Sequence, residues 1–456
     1  MFDELHEECG VFGIYSLCGG SVVRDIYYGL TALQHRGQES AGISVCDTSG
    51  PMGNISTRKG MGLVSEVFSD EALGGMRGDI GVGHVRYSTT GDSSIENAQP
   101  IAMNYIKGTL ALVHNGNIVN ANEIKEQQLY RGQAHYTTSD SEVLAYEIIS
   151  NRTKTGTIEE AILRTAGVLR GGYAVVIMSP RKMIGIRDPQ GIKPLVLGKK
   201  GDSYILTSES AAIKAVGGKL IRDIKPGEMI SITPEGTSFD ETLCSGKRAH
   251  CIFEYIYFAR NDSVIDGISV HDARINAGRA LAKRAAVEAD IVSGVPDSGL
   301  LAAEGYALES GIPFEFVFHK NSYIGRSFIK PTDEERKAAV RMKLSVLGSV
   351  VRDKRIVLID DSIVRGTTMK RIVEMLREEG AREVHVRISS PPFLHPCYYG
   401  TDVPSTNELI ASEHSTEEVR KTIGADSLSY LNIEDFTRMT GSLPLCKACF
   451  DGDYPV

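Results

Sequence analysis

The chain has 456 residues, 42% hydrophobic and 24% charged, enough apolar material for two or three domains and too much for wholesale disorder. Its 50 Lys and Arg stand against 58 Asp and Glu, a net charge of −8 that argues against a dedicated nucleic-acid binder. No run approaches the roughly 18 apolar residues of a membrane span, and the acidic opening, with Arg24 as the first cation, is unlike a secretory signal. Eight cysteines are too few for a disulfide scaffold of this length, so clustered Cys reads as metal binding or catalysis and the expected location is the cytoplasm.

In chain order, the first half alternates short strand-like runs with glycine turns: Gly10-Val11-Phe12-Gly13-Ile14, then Gly108-Thr109-Leu110-Ala111-Leu112-Val113, then Tyr173-Ala174-Val175-Val176-Ile177-Met178. Two helical stretches, near 22–34 and 140–150, interrupt them. Strands with few intervening helices predict packed, largely antiparallel sheets, an α+β layout. After about residue 250 the texture changes. A strand at 290–293 leads through Pro296-Asp297-Ser298-Gly299 into a helix over 300–310, and a strand at 355–359 leads through another turn into a helix over 368–379 closed by Gly380. Strands alternating with helices, each strand fully apolar, predict a parallel α/β sheet. The boundary falls near 235–250, and no internal repeat argues for a solenoid.

The run Val357-Leu358-Ile359-Asp360-Asp361-Ser362-Ile363-Val364-Arg365-Gly366-Thr367-Thr368 ends a buried strand on two carboxylates and opens a helix through a glycine- and hydroxyl-rich loop. Free backbone N–H groups at a helix start, with the helix dipole behind them, receive phosphate. The paired carboxylates suit ribose hydroxyls or a hard divalent cation. This run resembles the phosphoribosyl-pyrophosphate signature of the phosphoribosyltransferases. The resemblance implies a substrate site made of Asp360, Asp361, Ser362, Arg365, Gly366, Thr367 and Thr368, joined by Ser298 from a second strand–turn–helix loop. It also implies one Mg²⁺ per subunit, held by Ser298, Asp360 and Asp361. The cation surplus over 320–343, from Lys320 to Lys343, suits a lid over a pyrophosphate leaving group, or else a solvated helix face.

In the first half, Cys9-Gly10-Val11-Phe12-Gly13 alone would be a small apolar residue in a strand. Gln34-His35-Arg36-Gly37-Gln38-Glu39-Ser40, Gly83-His84-Val85-Arg86-Tyr87-Ser88-Thr89, His114-Asn115-Gly116-Asn117 and Ser139-Asp140-Ser141-Glu142 follow it in order. Together they resemble the class II glutamine amidotransferases, whose fold is an N-terminal-nucleophile sandwich of antiparallel sheets between helices. By that resemblance residues 1–8 are a leader to be removed, Cys9 is the nucleophile, and its freed α-amine, which ordinarily titrates at about 7.7–8.0, takes the thiol proton. Asn115 and the Gly116 N–H form an oxyanion hole, Arg86 binds the α-carboxylate of glutamine, and Asp140 binds its α-ammonium.

Cys446-Lys447-Ala448-Cys449 is a two-residue-spaced pair, with Cys251 and Cys397 as natural partners. Spacing alone leaves a zinc site and an iron–sulfur cluster open. Glutaminase motifs followed by a phosphoribosyltransferase signature resemble the glutamine phosphoribosylpyrophosphate amidotransferases along nearly the whole chain. Phe253-Glu254-Tyr255-Ile256-Tyr257-Phe258-Ala259-Arg260-Asn261-Asp262-Ser263 resembles their domain junction, with Asn261 where Pro stands in many members. In one branch of that family the four cysteines hold one [4Fe–4S] cluster per subunit. The resemblance implies an amidotransferase domain over 9–240, a phosphoribosyltransferase domain over 250–456, and synthesis of 5-phosphoribosylamine from glutamine and phosphoribosyl pyrophosphate. It also implies purine nucleotides as feedback inhibitors and a homotetramer. Two rivals exist. An asparagine-synthetase-like acceptor domain would need a Ser-Gly-Gly-x-Asp-Ser loop, which is not found, and a nucleotide-responsive regulator would have no need of the Cys9, Arg86, Asn115 and Asp140 set.

Overall fold

The computed structural model describes residues 8–49, 53–87, 93–244, 246–321, 344–401 and 405–456. The N-terminal half builds two antiparallel sheets. Their strands are β1 (Gly10–Ser16), β2 (Ser40–Asp47), β3 (Asn54–Met61), β4 (Ile80–Arg86), β5 (Ile101–Tyr105), β6 (Gly108–Ile118), β7 (Gly171–Ser179), β8 (Lys182–Arg187), β9 (Val196–Lys200), β10 (Ser203–Thr207), β11 (Lys219–Asp223), β12 (Met229–Thr233) and β13 (Gly236–Asp240). One sheet runs β11-β9-β10-β1-β4-β2-β3 and the other β13-β12-β8-β7-β6-β5.

The two sheets share an apolar layer that includes Val11, Tyr15, Val82, Val113, Val176 and Leu206. Helix Val23–Ala32 covers the outer face of the first sheet through Ile26 and Leu30. Helices Asp140–Arg152 and Ile158–Ala166 cover the second through Leu144, Ile148 and Ile162. Burial on both faces is why β1 and β7 read as nearly unbroken apolar runs rather than alternating ones. The helices at 121–130, 158–166 and 210–215 exceed the two expected from sequence. Each has ten residues or fewer, and Ile158–Ala166 is started by a Thr157 side chain accepting from the Glu160 N–H, a cue easily lost in a polar stretch.

The C-terminal half carries the expected parallel sheet, β14 (Ile291–Gly294), β15 (Arg355–Asp360), β16 (Glu383–Ile388) and β17 (Ser427–Tyr430), paired in that order. Helices Val270–Arg284 and Gly299–Ser310 pack on one face, and Thr367–Glu378 and Thr416–Ile423 on the other. Adjacent parallel strands put the loops after β14 and β15 side by side at the carboxyl ends, where open α/β sheets bind ligands. A short parallel pairing of His250–Cys251 with Leu445–Cys446 closes this half on itself.

Buried charge joins the halves. Arg36, fully buried, donates to Glu209 beside it and to both oxygens of Glu254 in the C-terminal half. Glu209 also accepts from the Arg260 N–H at 2.9 Å and the Ser263 hydroxyl at 2.6 Å. Arg187 forks onto Asp266 at 2.7 and 2.9 Å.

Candidate active sites

Cys9 immediately precedes β1, whose central place in its sheet puts the residue beside the end of β4. Its thiol is buried and donates to the Tyr87 carbonyl at 3.4 Å. Burial pushes the thiol up to about 11, with Asp140 and Glu39 adding to the rise and Arg86 opposing it. Those charges act on Cys9 because the fold has gathered them around it.

Strand β6 faces β1 and β4 across the shared core and carries His114, Asn115, Gly116 and Asn117. Asn115 is 1% exposed, and neither its Oδ1 nor its Nδ2 has a hydrogen-bond partner among the described residues. A buried amide left unsatisfied costs about 1–3 kcal/mol, a cost expected where the amide serves a ligand. Gly116 has φ +135°, and a Cβ there would stand 2.0 Å from the Gly172 carbonyl oxygen, so the backbone at this position admits only glycine.

Asp140 opens helix Asp140–Arg152 and accepts from the Ile118 N–H at 3.0 Å, tying the helix start to the end of β6. Burial works against its carboxylate, yet His114 at 3.6 Å, the Ile118 amide and Ser141 hold it below the ordinary range. Gln99 grips His114 through both backbone groups, at 2.7 Å from its N–H and 3.3 Å to its carbonyl, and the His84 Nε2 lies 3.0 Å from that same carbonyl. Arg86 pairs with Glu39. Glu39, Gln99 and His84 are not singled out by the sequence. Glu39 and His84 lie inside quoted motifs, but nothing local marks which of their side chains turn inward.

In the second site Asp360 and Asp361 are 9% and 6% exposed at the end of β15. The Asp361 N–H donates to Asp360 Oδ1 at 3.0 Å, and the Ser362 hydroxyl donates to Asp361. Burial raises the Asp361 carboxyl, against hydrogen bonds from Ser298 and Ser362 and the nearby charge of Arg274. Ser298, from the loop after β14, thus lies beside Asp361. Gly366, at φ +82°, precedes helix Thr367–Glu378, so Thr367 and Thr368 supply its first turn. Arg365 is turned to Glu408. Lys320 pairs with Asp297, and the other cations of the lid segment lie outside the described residues. Arg274, missed by sequence reading, is buried in helix Val270–Arg284 and donates to the carbonyls of Tyr255, Tyr257 and Ala259. No local pattern distinguishes it from a solvated helix arginine.

Cys251, Cys397, Cys446 and Cys449 line one enclosed cavity with Lys193, Phe253, Phe393 and Tyr399. Burial pushes Cys446 up to about 12 and raises Cys251 and Cys449 well above the ordinary range. Among the described residues no three His, Cys, Asp or Glu stand close enough to hold a single metal ion. Glu8, the last residue of the expected leader, is also buried, paired with Lys193 and accepting from the Thr401 hydroxyl at 3.2 Å.

Residues 84–215 match the glutamine amidotransferase domain family, and residues 268–389 the phosphoribosyl transferase domain family. The chain is 48% identical to the amidophosphoribosyltransferase of Bacillus subtilis, with 99% of this chain and 94% of that protein aligned. The chain belongs to the amidophosphoribosyltransferase family. A second member, from Archaeoglobus fulgidus, is 47% identical over 98% of both chains. The fold agrees: the solved structure of the B. subtilis glutamine phosphoribosylpyrophosphate amidotransferase, complexed with ADP and GMP, superposes with a TM-score of 0.90 at 47% identity, covering 98% of this chain and 97% of that one. Family membership and the paired sites leave the regulator and asparagine-synthetase readings without support. Among the described residues no helix is long and apolar enough to cross a membrane.

Proposed function

We propose that this member of the family transfers ammonia from glutamine to phosphoribosyl pyrophosphate, consuming one water and giving 5-phosphoribosylamine, pyrophosphate and glutamate, the first committed step of purine synthesis. The observation that carries the reading is the fully buried Asn115 amide, without a partner among the described residues, on the strand facing Cys9. A buried polar group with no protein partner suits an oxyanion formed when the Cys9 sulfur attacks the glutamine side-chain amide. Arg86 and Asp140 would select free glutamine by its α-carboxylate and α-ammonium, with Glu39 yielding the arginine to the substrate. Removal of residues 1–8 frees the amine that accepts the thiol proton; while the peptide bond to Glu8 remains, that nitrogen is no base.

At the second site the Thr367 and Thr368 amides and hydroxyls would seat the 5′-phosphate, and Asp360 and Asp361 the ribose, as positive charge develops at the anomeric carbon. Ser298, Asp360 and Asp361 form an all-oxygen donor set suited to Mg²⁺, which when bound supplies charge neutralisation on the departing pyrophosphate. Ammonia passed between the sites without reaching water stays unprotonated and nucleophilic.

The four thiols that line one enclosed cavity are the donor set of a [4Fe–4S] cluster, which the family resemblance favours there over zinc. The cluster would bind both ends of the C-terminal half together. Feedback inhibition by purine nucleotides, a homotetramer and a cytoplasmic location belong to the same reading, the first supported by the nucleotides held in the solved B. subtilis relative.

Cys9→Ala tests the division of labour: glutamine-dependent synthesis is lost while ammonia-dependent synthesis persists. Asp361→Asn is expected to lose both. Equal loss of both activities in Cys9→Ala would contradict the two-site reading.

A further inference from the structure

Residues 389–401 run from one site to the other. The Ser389 N–H donates to the Asp360 carbonyl at 2.9 Å, so the run begins on the strand end that carries the acidic pair. Phe393, 1% exposed, anchors it against Phe253 and Phe450. The Leu394 and His395 N–H groups both donate to the Cys449 carbonyl, at 3.0 and 3.1 Å, and the buried Tyr399 hydroxyl bonds the Val456 carbonyl at 3.0 Å.

The far end of the run lies on β6. Asn117 Nδ2 donates to the Tyr398 carbonyl at 2.9 Å, across 281 residues of sequence. Gly400, at φ +111°, sits so close to Gly116 that a Cβ on it would lie 3.2 Å from the Gly116 carbonyl carbon and 3.3 Å from its Cα. On the other side Gly116 already abuts Gly172. The Gly116 peptide is therefore held between a strand of its own sheet and a loop of the other half of the molecule.

We propose that Asn117 and the Tyr398–Gly400 turn are positioning residues for the oxyanion hole, fixing the Gly116 backbone in the place where the tetrahedral intermediate needs it. Oxyanion donors act through placement: they stabilise the intermediate only when aimed at where its charge develops, and small displacements are costly in rate. The phosphoribosyltransferase half thus completes the glutaminase site without touching glutamine. This rests on the assignment of Asn115 and Gly116 as the oxyanion hole.

The test is steady-state kinetics on Asn117→Ala, on the isosteric Asn117→Asp, which cannot donate, and on Gly400→Ala, which crowds Gly116. Each is expected to lower kcat for glutamine hydrolysis about tenfold, with KM for glutamine and the ammonia-dependent synthetic rate unchanged. Retained ammonia-dependent activity reports an intact fold. Unchanged glutamine kcat in all three variants would overturn the proposal, and so would parallel loss of both activities, which marks general structural damage. Asn115→Ala separates the two ways of failing. Normal hydrolysis in that variant removes the oxyanion-hole assignment and the proposal with it. Slow hydrolysis there beside normal hydrolysis in the Asn117 and Gly400 variants removes the proposal alone.

Discussion

Cys9 is a poor nucleophile as the uncut chain holds it. Burial keeps its thiol at about 11, so it is almost wholly protonated at neutral pH, and the Tyr87 carbonyl beside it accepts a hydrogen bond without taking the proton. On the proposed reading, cleavage before Cys9 would change this by placing an amine of ordinary basicity on the same residue. Iodoacetamide alkylation of Cys9 in uncut protein is therefore expected to rise about tenfold per pH unit between pH 7 and 9, following the thiolate fraction. In chain beginning at Cys9, alkylation at pH 7 is expected to be faster. Equal rates in the two forms at pH 7 would show that the amine is not the base. The sequence marks Cys9, Arg86, Asn115 and Asp140 as candidates because each sits in a short motif. Their electrostatic context was not legible: the partners of Arg86 and Asp140 come from other segments of the chain, and Glu39, Gln99 and His84 carry no local mark of facing inward.

At the scale of elements, β4 and β6 are tied by a buried histidine that must stay neutral. His84 is fully buried, and burial lowers it to about 3 from the ordinary 6.5. Below pH 6.5 the unfolded chain takes up a proton there that the folded chain refuses, so stability falls as pH drops from 6.5 toward 3. The slope reaches about 1.4 kcal/mol per pH unit. In His84→Gln that contribution vanishes, and urea unfolding at pH 7.5, 6 and 5 is expected to show the gap between variant and parent narrowing as pH falls. A gap independent of pH would mean that His84 does not titrate between the folded and unfolded states. Strands such as β1, β7 and β15 were legible because both faces are covered and nearly every residue is apolar. The short helices at 121–130 and 210–215 were not, since the first is buried against helix Asp140–Arg152 and the second against the sheet edge and helix Val23–Ala32, rather than by a strong periodicity of their own.

The whole molecule depends on charge buried between its halves. Arg36 serves Glu209 and Glu254 together, and the opposing carboxylates raise its affinity for its proton despite burial. Burial and the neighbouring Glu8 raise the Glu254 carboxyl, against the opposing pull of Arg36. Arg36→Ala strands two buried carboxylates and is expected to cost about 3–5 kcal/mol by denaturant unfolding. A loss under about 1 kcal/mol, the size of an exposed ion pair, would show that the junction is wet or rearranged. None of this was readable from sequence, because Arg36 and Glu254 are 218 residues apart and each looks like a surface charge. The two-part division was readable, from the change between antiparallel and parallel strand patterns. The central claim is that these joined halves run one reaction. The measurement that tests it is simultaneous assay of pyrophosphate and glutamate with both substrates present, on protein that begins at Cys9. Equal amounts of the two products, with pyrophosphate release dependent on glutamine, is the predicted result; glutamate formed without pyrophosphate, or neither product from iron-loaded protein, would contradict it.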